Sequence, residues 1–277
     1  MFLSLSRRVH ATAISLTTQP VLITWADQCP AGATQFKPGT WGCAFSLIAS
    51  VASKGKIVAF SRHTYGCWGA GVGLGFGNQY EAFPGGVDCF ARFLSNGNES
   101  NPVGKAIGDK MAAGGGARFA SDYLKGERYI RDEAAGQRIL EALPRRDIGD
   151  KYVVAKPLEQ MTPDDDVKNV TFFVEPDALS ALVVLANYVH PDVENVAVPW
   201  GAACQVIGLF GYRETERERP RALIGLTDLS ARKYARPQLG RNVMSFTMPF
   251  AMFLELEANV PGSFFDRDTW RHLAAAT

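Results

Sequence analysis

No run of apolar residues in this 277-residue chain approaches the ~20 that a membrane helix needs. The longest runs, Ala181 to Ala186 and Val206 to Phe210, have the size of core segments. The N-terminus carries Arg7 and Arg8, but His10, Thr12, Ser15, Thr17 and Thr18 break up the apolar stretch that an export signal requires. Residues 1–19 therefore read as a plain N-terminal helix. Excess charge is missing too. Twenty-nine Lys and Arg against twenty-eight Asp and Glu leave a net charge of +1, which argues against a nucleic-acid partner because phosphate contacts need clustered cations.

Cysteine is sparse: five residues, an odd number, dispersed at 29, 43, 67, 89 and 204. A disulfide scaffold would show an even, dense set. No Cys-x-x-Cys pair occurs, so neither a ferredoxin nor a zinc-ribbon pattern is present. A Ser/His/Asp arrangement, a His-Glu-x-x-His motif and a Walker loop are also missing. The expectation is a cytoplasmic protein with reduced thiols that are either core residues or metal ligands, and with no membrane contact.

What the chain has is an ample apolar content, 47%, enough for a sizeable core without a covalent staple. β-type runs such as Val21 to Trp25, Lys56 to Phe60, Tyr152 to Ala155 and Val170 to Val174 alternate with helix-length segments such as Cys43 to Ala52 and Pro176 to Tyr188. This alternation predicts an α/β fold, a mixed and largely parallel sheet with helices on both faces. Trp41-Gly42-Cys43 and Trp200-Gly201-Ala202-Ala203-Cys204 each open an apolar helix, which raises the option of two pseudo-repeated halves. A single domain over 1–277 is expected, with a subdivision into 1–145 and 146–277 as the alternative. The polar stretch from Asn96 to Gly116 reads as an excursion or lid, and Ser121 to Leu143 as one long charged helix interrupted near Gly136.

The chemistry-bearing residues are few. A cysteine in the first turn of a helix sits at the positive end of the helix dipole, which favours the thiolate that binds iron. Cys43 and Cys204 fit that description. Cys67 lies among glycines that let backbone N–H groups approach its sulfur. Cys43 precedes its helix, Cys67 follows the strand Lys56 to Phe60 and Cys204 the strand Asn195 to Val198, and ligands in α/β sheets gather at the carboxyl ends of strands, so the three are expected to meet at one sheet edge. The plain alternative is that each is a small buried hydrophobe. Cys89, within a short helix, reads as core. The segment Gly66 to Gly77 departs from a dinucleotide fingerprint, yet Gly66, Gly69 and Gly71 fit either a ligand cradle or close backbone packing. Asp228 reads as a helix N-cap or an oxygen ligand. Arg232 and its basic neighbours fit an anionic ligand or a solvated face. His63, after a strand, is another polar candidate.

Lys37-Pro38-Gly39-Thr40-Trp41-Gly42-Cys43, Gly66-Cys67-Trp68-Gly69-Ala70-Gly71 with its continuation to Tyr80, Phe83-Pro84-Gly85-Gly86, Ser180 to Tyr188 and Gly225-Leu226-Thr227-Asp228 together resemble one family. It is the uncharacterised archaeal conserved region family known as domain of unknown function 169. The resemblance runs from about Pro20 to the C-terminus. It implies that Cys43, Cys67 and Cys204 occupy the family's cysteine positions, with Asp228 standing where some members carry a further cysteine. The expectation that follows is a [4Fe–4S] cluster on Cys43, Cys67 and Cys204, with Asp228 or Cys89 at the fourth iron. Such a cluster serves a redox partner or Lewis-acid chemistry. The alternative is a metal-free small-molecule or nucleotide-binding protein using the Gly66–Gly77 loop. A third option is a structural or scaffold role as a homodimer.

Overall fold

The computed structural model describes residues 14, 16–114, 117–190 and 192–275, so most of the helix expected over 1–19 lies outside the described residues. The chain forms two compact units. One joins the residues up to Phe76 with those from Asp147 onward, and the other is an insertion, Gly77–Arg146.

In chain order, strand β1 (Val21–Ala26) leads through a long loop to helix α1 (Ala44–Lys54), which Gly55 ends in a left-handed cap at φ 65°. Strand β2 (Val58–Phe60) and the six-residue helix α2 (Trp68–Gly73) complete the first part. The insertion holds α3 (Gly86–Leu94), α4 (Pro102–Ala113), α5 (Ala117–Lys125) and α6 (Glu133–Ala142). Strands β3 (Tyr152–Pro157) and β4 (Asp166–Val174) follow, then α7 (Pro176–Ala186) and β5 (Val196–Ala197). Helix α8 is continuous but composite: an α turn at Ala203–Gln205, a π-helical segment at Val206–Phe210 and a last α turn at Gly211–Glu214. Strand β6 (Ala222–Gly225), α9 (Leu229–Leu239), β7 (Met244–Pro249), α10 (Phe250–Asn259) and α11 (Asp268–Ala275) close the chain.

The seven strands form one sheet in the order β2-β3-β1-β4-β7-β6-β5. Every neighbouring pair is antiparallel except β5 and β6. The expectation of a largely parallel sheet is therefore corrected. Its physical basis was sound as far as it went, since β1 and β2, joined through α1, do run in the same direction. However, β3 inserts between them, as β1 does between β3 and β4. Interleaving turns like-directed strands into antiparallel neighbours, and alternation along the chain does not reveal it. Two pseudo-repeated halves are not seen either. The strands of the first part of the chain do not form a separate block matched by a second.

Helices cover both faces. Alternate residues of β1 divide between them: Val21 and Ile23 join the core under α1, α8 and α9, whereas Leu22 joins the core under α7, α10 and α11. The buried hydroxyls of Thr171 and Thr247 meet at 2.9 Å between β4 and β7.

The insertion is helical and aromatic. Tyr80 stacks on Phe90 at 4.4 Å, and Phe83 contacts Phe90, Phe93 and Tyr123. The stretch expected as a lid contains α4, which Asn101 caps by accepting from the Gly104 N–H at 3.0 Å. The long helix expected over Ser121–Leu143 is two helices. Gly126 ends the first at φ 74°, while Gly136 lies inside α6 against the backbone of Ala91.

Candidate functional site

Three cysteines and one aspartate open four helices of the larger unit. Cys43 and Cys67 are the extended residues immediately before α1 and α2. Cys204 is the second residue of α8, whose first turn is closed by Gln205 Oε1 accepting from the Ala202 N–H at 3.0 Å. Asp228 caps α9: its Oδ1 accepts from the N–H groups of Ser230 at 2.8 Å and Ala231 at 3.2 Å.

Glycines bring these helix starts together. Gly42 and Gly66, each preceding a cysteine, press on the two edges of the Phe36 ring, and the Gly42 N–H donates to the Gly66 carbonyl at 3.4 Å. Gly66 has φ 82°, and a methyl group there would stand 2.5 Å from the ring and 2.7 Å from the Gly42 carbonyl. Helix α2 then packs on α8 at comparable closeness, with Gly73 against Gln205 and a methyl at Gly208 falling 2.5 Å from the Gly73 carbonyl. Gly69 faces Ala202 at ordinary contact distance, 3.8 Å. The glycine-rich stretch is thus a short helix in close backbone contact with α8.

Backbone N–H groups cross between the helices at the meeting point. The Cys67 sulfur faces the N–H groups of Ala70 and Gly69 in its own helix and that of Ala44 in α1. The Asp228 carboxyl faces the Ala203 N–H of α8 in addition to its own two. The four acids also feel one another. Burial raises the Cys43 thiol to about 12, and the Cys67 and Asp228 charges push the same way. Burial likewise raises Cys67, whose surroundings are dense although the residue keeps some surface, and raises Cys204 well above the ordinary thiol value. The charges of Cys67, Cys43 and Asp228 add to the rise at Cys204. Asp228 is raised by burial, with the three N–H groups opposing. Ionised together, these groups repel, and a cation among them would remove that cost. Among the described residues no group of three or more His, Cys, Asp or Glu side chains is close enough to hold a single metal ion.

The four positions do not follow strands of one direction. β1 and β2, which precede Cys43 and Cys67, run opposite to β5 and β6, which precede Cys204 and Asp228. The convergence lies over one face of the sheet, where Ala44, Ala203, Cys204, Leu226 and Ala231 share a core with Val21, Ile23 and Phe173. It is not at the single carboxyl edge expected. The long loop from residue 27 to Cys43 supplies the chain needed to reach it.

With the fold and this arrangement described, the chain matches the family described as Uncharacterised ArCR, domain of unknown function 169, over residues 11–259. The protein is a DUF169 family member. No curated protein and no solved structure matches it.

The remaining candidates of this DUF169 chain go elsewhere. Arg232 donates to the carbonyls of Leu226 at 3.2 Å, Val243 at 3.0 Å and Arg241 at 2.6 Å, so its guanidinium braces the loop around Asp228. His63 is exposed. Cys29 accepts a hydrogen bond from Gln35 at 3.1 Å. Cys89 is buried within the insertion, beside Gly85. Two residues that matter for the site carried no motif. Leu226, three-hundredths exposed, adopts φ 63°, a left-handed conformation that a bulky side chain rarely takes and that tends to mark functional turns. Asn169, fully buried in β4, donates to the Ile207 and Gly208 carbonyls of the π-helical segment, each at 2.9 Å. An asparagine in the run Val167-Lys168-Asn169-Val170-Thr171-Phe172 was the available signal, since a buried amide must find partners.

Proposed function

We propose that this DUF169 protein is an iron–sulfur protein in which Cys43, Cys67 and Cys204 ligate a [4Fe–4S] cluster and Asp228 approaches the fourth iron. The observation that carries this reading is the convergence of three thiols and a carboxyl, each at the start of a separate helix, over one face of the sheet, where the three cysteines share one core. Thiolates suit iron–sulfur centres.

The chain's own residues have definite tasks in this reading. Cys67 receives N–H groups from two helices, and such contacts to sulfur tune reduction potential. Gly42 and Gly66 allow the backbone approach that sets Cys43 beside Cys67. Arg232 and the turn at Leu226 hold Asp228. Trp41, Trp200 and Leu229, neighbours in sequence of the ligands, are 49%, 45% and 64% exposed. When bound, the cluster would supply one-electron transfer, or a Lewis-acid iron where a ligand is weakly held.

Anaerobic purification or reconstitution tests the reading. Brown protein with broad visible absorbance, lost in Cys43→Ser and Cys67→Ser while the circular dichroism stays that of the wild type, is the expected result. Colourless wild-type protein after reconstitution would refute it.

A further inference from the structure

The chain carries twenty-eight acids, yet Asp and Glu are missing from residues 28 to 80 and from residues 229 to 254. These stretches form α1, α2 and α9, so their cations are not balanced locally. Helix α9 buries Ala231, Ala235 and Leu239, and its Gln238 amide donates to the Ser46 hydroxyl of α1 at 3.3 Å. Its outer face exposes Leu229, Lys233 and Arg236, which at i, i+4 and i+7 line one side of the helix. Trp41, 49% exposed, stands edge-on to Tyr234 with ring centroids 6.1 Å apart. Lys233 Nζ lies 5.9 Å from the centre of the same Tyr234 ring. The turn leading to Trp41 starts at the exposed Lys37, whose carbonyl accepts from the Thr40 N–H at 3.0 Å and its hydroxyl at 2.7 Å. Among the described residues Lys37, Lys233 and Arg236 form no ion pair, whereas cations elsewhere do, as Lys151 with Asp27 and Arg221 with Glu214. An exposed tryptophan and leucine thus stand flanked by cations that no carboxylate of the chain neutralises.

We propose that this face docks an acidic protein, which sets an apolar side chain against Trp41 and Leu229 and carboxylates against Lys37, Lys233 and Arg236. Protein interfaces have this make-up: an aromatic anchor within a charged rim that steers the partner. Three cations are too few to track a nucleic-acid backbone. Two outward apolar side chains are too few for a lipid surface, which takes a broad apolar helix face. The face borders Cys43 and Asp228, so the docked protein would stand beside the site described above. Its charge and exposure are properties of the chain alone, and the proposal does not rest on the iron–sulfur reading.

The test titrates the full chain at low salt against a dye-labelled synthetic peptide in which Glu and Asp flank two leucines, read by fluorescence anisotropy. Saturable binding is expected, weakened by added NaCl and about tenfold weaker in the double variant Lys233→Glu/Arg236→Glu. Trp41→Ala should also bind about tenfold more weakly but keep the wild-type salt dependence, because it removes an anchor and no charge. Lys110→Glu, an exposed charge on the insertion, should bind as the wild type does. Circular dichroism should be the same for all four proteins. No binding at low salt, equal binding by wild type and the double variant, or tighter binding of poly(U) RNA or phosphatidylglycerol vesicles than of the peptide would overturn the proposal. Iron content does not enter the measurement, so this result and that of the iron assay stand or fall separately.

Discussion

An alanine methyl at position 66 would have to share space with the Phe36 ring and the Gly42 carbonyl, on a backbone at φ 82°. Gly66→Ala is therefore expected to destabilise the larger unit by roughly 1–3 kcal/mol, and to reduce iron uptake because Cys67 no longer stands beside the start of α1. Urea unfolding and an iron assay on the same sample check both parts. At Arg232, a methionine would keep much of the aliphatic stem but leave three carbonyls without their donor. A loss of about 1–3 kcal/mol is expected, with iron loss confined to the Asp228 corner. Native mass spectrometry of the reconstituted variant, reading three-iron against four-iron species, checks it. The cysteines were legible in the sequence because each either follows a glycine at the start of an apolar segment or sits in a first helical turn. Asp228 was legible as a cap. Leu226 was not, because nothing in Gly225-Leu226-Thr227 announces that the leucine, not the glycine, takes the left-handed conformation.

At the scale of elements, α8 is the informative case. A π-helical segment displaces carbonyls from the regular ladder, and such segments are frequent at functional sites. Here Asn169 accepts the consequence by donating both N–H bonds to Ile207 and Gly208, one strand layer away. Asn169→Leu, similar in size, should strand both carbonyls and cost about 2–4 kcal/mol. Since the same helix begins with Cys204, the cluster's absorbance should decay faster on exposure to air than in the wild type. Equal stability and equal decay would show that the segment needs no such support. Existence and type of most elements followed from apolar patterning and caps. Strand neighbours did not, because β3 (Tyr152–Pro157) comes far further along the chain than β2 (Val58–Phe60) yet lies between β2 and β1, and local pattern holds no record of such pairing. The glycine-rich stretch was ambiguous for a related reason: its glycines answer to contacts on α8, which only the folded chain displays.

For the whole molecule, the two crossings to the insertion leave from one place. Phe76 and Asp147 form an antiparallel bridge, and the Ile148 N–H donates to the Gly75 carbonyl at 2.9 Å. A few residues can span such a pair. Replacing 77–146 by a short Gly/Ser linker should therefore leave the larger unit folded, with the same iron content per chain as the intact protein. Insoluble or iron-free product would mean that the insertion contributes to the core or the site. All four proposed ligand positions belong to the unit that remains, which is what gives the deletion its force.

The most direct measurement is the content of iron and acid-labile sulfide in anaerobically reconstituted wild-type protein, set against Cys204→Ser. The account predicts about four of each per wild-type chain under reducing conditions with excess Fe2+, and near none in the variant. Wild-type protein with neither, or a Cys204→Ser protein that matches it, would contradict the claim that these sulfurs share one centre.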